Sequence, residues 1–282
     1  IDQRRNYHTD NGQEYTDAQA QQDRITLEQQ AQEFLNSSLD IAELNKNNEK
    51  RVIATYGPIE DWDVSKITDM SDLFMRQESF KEDISKWNVS QVTSFDNMFY
   101  SDGFRSEFNA DLSKWQVSKA TSMQRMFCKA GNFNSDLSKW DVARVTSFQS
   151  TFGHAVEFNS DLSKWNVKRA TNFKWMFYWS SKFNSDLSKW DISSATTLVQ
   201  MFTATASFNS DISKWDVSKP PDVWAMLQGA GAFDQPPWCT LAWWSNKKDV
   251  RDRMRGNDIS ATFQNQNRNN LPFCCNPGEY LA

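Results

Sequence analysis

The chain has 282 residues, enough for one large domain or two small ones, and its 31 basic and 36 acidic residues leave a net charge of −5. That acidic excess argues against a nucleic-acid partner, and no apolar run reaches the roughly 18 residues that a membrane-crossing helix needs. Thirteen Trp and 20 Phe beside nine Gly and seven Pro place the burying capacity in a few large rings on an otherwise polar chain.

Residues 1–57 carry no repeat. The first residue is isoleucine rather than methionine, which reads as a processed chain or a fragment. Thr-Asp-Ala-Gln at 16–19 fits a capping box, and Ile25, Ala31, Phe34 and Leu35 mark one face of the helix that follows. The segment is predicted to be a polar, loose tail over 1–15 and then a helical cap on the first repeat.

From 58 to 236 the chain repeats itself. Phe-Asn-Ser-Asp-Leu-Ser-Lys-Trp occurs at 133–140, 158–165 and 183–190, and its isoleucine form at 208–215. The tryptophans Trp62, Trp87, Trp115, Trp140, Trp165, Trp190 and Trp215 are spaced by 25, 28, 25, 25, 25 and 25 residues. A fixed period of this size predicts a solenoid of seven coils. The longer interval holds a three-residue insertion within 100–108, expected to bulge from a turn without breaking the stack.

Ile84, Trp87 and Val89 stand at offsets 0, 3 and 5, the apolar offsets of a leucine-rich repeat, which predicts a short parallel strand at each Ser-Lys-Trp segment. Val92, Phe95, Met98 and Phe99 then predict about one helical or 3₁₀ turn on the opposite side. Phe108, Phe133, Phe158, Phe183, Phe208 and Phe233 form a second aromatic column. A unit of about 25 residues cannot close a core alone, so each must offer the same apolar set to its neighbours. The tryptophans are therefore expected to form an interior ladder. The rival, an exposed ladder for glycans or hydrophobic polymers, is disfavoured because Val89 and its equivalents share their face.

Lys86, Asn88 and Ser90 then point outward, and stacking turns such residues into columns. One is Lys86, Lys114, Lys139, Lys164, Lys189 and Lys214; beside it run Asp63, Asn88, Gln116, Asp141, Asn166, Asp191 and Asp216. At a strand spacing of about 4.8 Å, exposed lysines repel by roughly 1 kcal/mol, which the acidic column offsets. The face reads as a solvated, salt-laced surface or as a recognition surface for a protein or glycan. Asn109, Asn134, Asn159, Asn184 and Asn209 are expected to bond turn backbone as a structural ladder. Asp83, Asp111, Asp136, Asp161, Asp186 and Asp211 either cap their own turns or hold calcium between coils; capping is the favoured reading.

Beyond Pro236 the period ends, after Pro220 and Pro221 have already disturbed the last turn. Residues 237–282 contain Trp238, Trp243 and Trp244, a mixed-charge run at 247–255 and Cys274–Cys275; they are expected to form a C-terminal cap or a partner-docking surface. Cys128 lies four coils from this tail, about 19 Å at strand spacing, so it is expected to be free, whereas Cys239 can pair with Cys274 or Cys275. The sequons at Asn36 and Asn88 permit a secretory route without requiring one.

"FNSDLSKWDVARVTSFQSTF" at 133–152 and "FNSDISKWDVSK" at 208–219 resemble the BspA-like branch of leucine-rich repeats, and within it the mycoplasma surface-lipoprotein repeat, which also abounds in marine microalgae. The resemblance covers roughly 58–236. It implies a right-handed solenoid at a cell surface, used for adhesion or protein interaction, and no enzyme activity. The residues agree with that: His8 and His154 are the only histidines, and no phosphate-binding Gly loop, CxxC or HExxH is present. No cofactor and no metal are expected. Two readings remain. One is a secreted or surface-displayed module binding another protein or a surface glycan. The other is a structural subunit of a larger assembly, such as an algal organelle complex or an extracellular fibre, with an organelle lumen as the alternative location. The contact is expected in 237–282 or the 101–107 bulge, with the Lys/Asp face beside it.

Overall fold

A computed structural model describes residues 7–8, 14–15, 17–38, 57–103, 106–217, 219 and 221–234. Two short strands, β1 (Tyr7–His8) and β2 (Glu14–Tyr15), pair antiparallel with Tyr7 opposite Tyr15, within the segment expected to be a polar tail. Helix α1 (Asp17–Ser38) follows. Its Leu27 and Ala31, one turn apart on a single face, enter the common core, and Arg24 reaches Asp69 and donates to the Ser71 carbonyl oxygen at 3.2 Å. Ile25 is only half-buried, so the covered face is the one carrying Leu27; Phe34 and Leu35 lie outside the described side chains.

From Ile59 onward each repeat is a ribbon of tight turns. After Trp140, the amides of Val145, Thr151, Gly153 and Ala155 donate back three residues, to the carbonyl oxygens of Val142, Phe148, Ser150 and Phe152. The alternate amides of Phe148, Ser150, Phe152 and His154 donate instead into the next repeat, to Asn172, Lys174, Met176 and Tyr178. Left-handed backbone at Ser150 (φ 55°) and His154 (φ 60°) interrupts the winding and frees those amides for the neighbour. The helical turn predicted after Val92 is for this reason a pair of linked turns: the Met98 amide donates to Phe95 O, and the Phe99 amide to Met126 O of the next repeat.

Successive repeats are joined by one parallel register, Asp69 to Ser94, Ser122, Ser147, Asn172, Thr197 and Asp222. The strand predicted at each Ser-Lys-Trp segment is absent among the described residues. Those residues form a turn, closed for example by the Trp140 amide on Leu137 O at 3.1 Å, and pairing falls later, at Ser147. The apolar offsets 0, 3 and 5 suit such a turn as well as a strand. The register survives Pro221: proline cannot donate, and the Asp222 amide takes the Thr196 carbonyl oxygen at 2.9 Å. The insertion is tied back to an earlier repeat, with Gly103 N–H on Glu78 Oε1 at 2.7 Å and Arg76 paired to Asp102 at 2.8 Å.

Three aromatic columns fill the interior. Trp115, Trp140 and Trp165 are buried and stacked at centroid distances of 6.5 Å with planes 2° apart. Phe127, Phe152, Phe177 and Phe202 form a second column at 5.6–5.7 Å. Phe133, Phe158, Phe183 and Phe208 form the third, each 3.8–3.9 Å from its partner in the second.

Polar rungs run beside the rings. The indole Nε1–H of Trp140, Trp165, Trp190 and Trp215 donates to Leu112, Leu137, Leu162 and Leu187 carbonyl oxygens of the preceding repeat, at 2.8–3.0 Å. The buried hydroxyls of Ser135, Ser160, Ser185 and Ser210 accept the amides of those same leucines at 2.7–2.8 Å. Asn134, Asn159 and Asn184 side chains accept the amide of the asparagine in the following repeat. Ser160→Ala is expected to strand the buried Leu137 amide and cost about 1–3 kcal/mol, measured by denaturant unfolding. Asn159→Ala, at an exposed position, should cost less; an equal or larger loss there would mean that the serine rung contributes little.

Candidate functional site

The polar face is organised by the aspartates. Asp111, Asp136, Asp161, Asp186 and Asp211 each accept the amide of the serine two residues on, at 2.9 Å. Asp141 and Asp191 do the same for Ala143 and Ser193 at 3.1 Å, on the other side of the tryptophan. The acids therefore turn to their own backbone more than to the lysines. Lys86 approaches Asp61 at 3.9 Å, while Lys114, Lys139, Lys164, Lys189 and Lys214 are exposed and make no ion pair among the described residues. Asp216 is exposed; Trp243, Trp244, Cys239, Cys274 and Cys275 lie outside the described residues. Cys128 is free and buried, and burial pushes its thiol up to about 11, which leaves it protonated and unreactive at neutral pH. No group of three or more His, Cys, Asp and Glu among the described residues is placed to hold a metal ion.

The serine hydrogen bonds hold Asp111, Asp136, Asp161, Asp186 and Asp211 below the ordinary carboxylate value of 3.8. The unfolded chain therefore binds more protons than the folded one as pH falls towards 3.8. Stability is full above that pH and is lost as pH drops through the lower folded-state values. Melting temperature should thus fall steeply below about pH 4. The triple change Asp136→Asn, Asp161→Asn and Asp186→Asn keeps an acceptor at each turn and should flatten that slope; an unchanged slope would place the acid sensitivity elsewhere.

A different face departs from the repeat. The two left-handed positions of each unit are filled by Arg125 and Lys129, by Ser150 and His154, by Trp175 and Trp179, and by Gln200 and Ala204. In one unit alone, both are tryptophan. Left-handed backbone disfavours bulky residues, and the neighbouring units show that the stack does not require them. Trp179 is 51% exposed. Its ring lies 6.0 Å from His154, which meets Tyr178 edge-on at 5.1 Å. Trp175 is held by its Nε1–H on Gln200 Oε1 at 2.8 Å and lies under the Lys174 ammonium, 4.1 Å from the ring centre.

Trp175, Tyr178 and His154, with Tyr100, Arg125, Lys129 and Gln200, border a groove of about 370 Å³; Trp179 is not part of its lining and stands beside it against His154. Lys129 links it to the insertion by donating to Asp102 O at 3.0 Å. Burial, and then the nearby Lys129, lower the His154 pKa, so the imidazole is neutral at physiological pH. The groove offers aromatic faces and fixed cations.

The family profile described as "Mycoplasma protein of unknown function, DUF285" matches twice, over residues 41–165 and 146–269. The chain belongs to the DUF285 family. Comparison with curated proteins returns no match, and neither does comparison with solved structures. Each DUF285 match spans about five of the 25-residue periods, so the family unit is itself a run of repeats. Among the described residues no helix is long and apolar enough to cross a membrane. The sequence reading places its candidate contacts in 237–282 or the 101–107 bulge with the Lys/Asp face beside it, and it misses Trp175, Tyr178 and Trp179. The signal is a departure from the repeat at Trp175 and Trp179: no other unit carries tryptophan at either position, whereas Tyr178 has a counterpart in Tyr100.

Proposed function

We propose that the chain is a non-catalytic interaction module: a leucine-rich-repeat-like solenoid of the BspA-like branch, displayed outside the cell or at its surface, that binds another protein or a surface glycan. Residues 58–236 form the solenoid, 1–57 its N-terminal cap and 237–282 its C-terminal cap. The observation that carries this reading is the contrast between the uniform interior and the groove. The ring columns and polar rungs are alike from unit to unit, whereas Trp179 is exposed and Trp175 and Tyr178 are half-buried on the outer side of the coils, where stability gains less from a large ring. Exposed aromatics on a rigid frame are the anchors of recognition surfaces. A structural subunit of a larger assembly is the second reading, favoured by Trp224, 40% exposed and not among the residues that line the groove.

The test is capture of partners from the native source. Trp175→Gln with Trp179→Ala copies the residues of the next unit, Gln200 and Ala204, so the fold should persist while capture is lost. Charge reversal at Lys139, Lys164 and Lys189 should leave capture intact. The opposite outcome would move the site to the polar face. Capture that depends on Trp224→Ala alone would favour the assembly reading.

A further inference from the structure

We infer that the groove takes an anionic polysaccharide, with its aromatic rings lying against sugar faces and Arg125 and Lys129 meeting the acidic substituents. This rests on the reading of the chain as an interaction module and names the ligand class of that site.

Charge complementarity is the first argument. The groove is lined by Arg125 and Lys129 and by no carboxylate, on a chain whose net charge is −5. Arg125 is exposed, and its guanidinium makes no hydrogen bond or ion pair among the described residues, so its five donors are free for an anion. Available donors are the second argument. The Tyr178 hydroxyl, on the groove's lining, and the indole N–H of the exposed Trp179, whose ring lies against His154, also have no hydrogen-bond partner among the described residues. Flat rings bordered by unpaired donors suit a ligand that has one apolar and one hydroxylated face per unit, as a pyranose does.

The backbone excludes the commonest peptide mode. Extended peptides add to an edge through unpaired amides and carbonyl oxygens. Here the Ser150, His154, Trp175 and Trp179 amides all donate into the next repeat, to Lys174, Tyr178, Val199 and Thr203. Only side chains remain to recognise a polymer. A nucleic acid is disfavoured because it needs a continuous cationic track for its phosphates, and two cations on an acidic chain do not form one.

Affinity electrophoresis of the full chain through gels holding dextran sulfate, polygalacturonate, neutral dextran, polyglutamate or single-stranded DNA tests this. Retardation is expected in one or both anionic polysaccharides, and the pair separates sulfate from carboxylate recognition. It should weaken with added salt and be absent in neutral dextran and polyglutamate. Trp175→Gln with Trp179→Ala should weaken it about tenfold, the scale of one good aromatic contact, with unchanged melting temperature. The reversal at Lys139, Lys164 and Lys189 should not. Equal retardation by polyglutamate, or no effect of the tryptophan changes, would reduce the binding to charge and overturn the inference. Tighter binding to DNA would overturn it in favour of a nucleic acid. If the polysaccharides fail while tryptophan-dependent capture of a protein persists, the interaction module stands and its ligand class is wrong; if both fail, both readings fall.

Discussion

Trp140→Ala should destabilise the protein by about 3–5 kcal/mol, the cost of deleting a large buried ring and leaving its cavity. On a described core of this size that corresponds to a fall of roughly 6–20 °C in melting temperature. The indole does two jobs. Its ring lies between Trp115 and Trp165, and its N–H reaches Leu112 O at 3.0 Å in the preceding repeat. Trp140→Phe separates them: it keeps a ring in the column but leaves the Leu112 carbonyl oxygen without that donor, so it should recover only part of the loss. The double change Trp140→Ala with Trp165→Ala should cost less than the two single changes added, because the first removes the stacking partner of the second. Calorimetry on the four variants checks this. Strict additivity would mean that the rings fill space without reinforcing one another, and a wild-type melting temperature for Trp140→Ala would contradict the buried ladder outright.

Much of this arrangement is legible in the spacing of residues. A tryptophan every 25 residues beside an invariant phenylalanine can only satisfy a unit too small for its own core, so the columns follow from the period. The path of the backbone between columns is not legible in the same way. Offsets of 0, 3 and 5 are shared by a strand and by a turn ribbon, and what distinguishes them is left-handed backbone at two points in most units. Sequence normally advertises such points with glycine. Here Asp72, Asn97, Arg125, Ser150, Trp175 and Gln200 occupy one of the columns, and its counterpart column ends on Gly229. Held on both sides by interrepeat hydrogen bonds, the conformation is imposed by the stack and leaves little trace in composition. The groove is hidden for the opposite reason. A repeat consensus describes what recurs, and Trp175 and Trp179 matter because they do not.

Those left-handed positions carry the second large effect. Ser150→Pro is expected to cost about 3 kcal/mol or more and to divide the melting transition. Ser150 stands at φ 55°, which the proline ring, fixed near −65°, cannot reach, and its amide donates to Lys174 O at 2.9 Å, a bond that proline removes. Each unit is coupled chiefly to the units on either side, so weakening one junction should let the flanking segments unfold at different temperatures. Ser150→Gly is the matched control. Glycine keeps the amide and relieves the roughly 1–2 kcal/mol that a left-handed conformation costs an ordinary residue, while its greater freedom in the unfolded chain returns about 0.5–1 kcal/mol. Its melting temperature should therefore equal or slightly exceed that of the wild type. Hydrogen exchange on Ser150→Pro should show the loss centred on the amides of Phe148, Phe152 and His154, which bridge to the same neighbour. A single sharp transition with uniform loss of protection, or a glycine variant as damaged as the proline one, would mean that the junction is held by its ring columns and that the turn ribbon merely follows them.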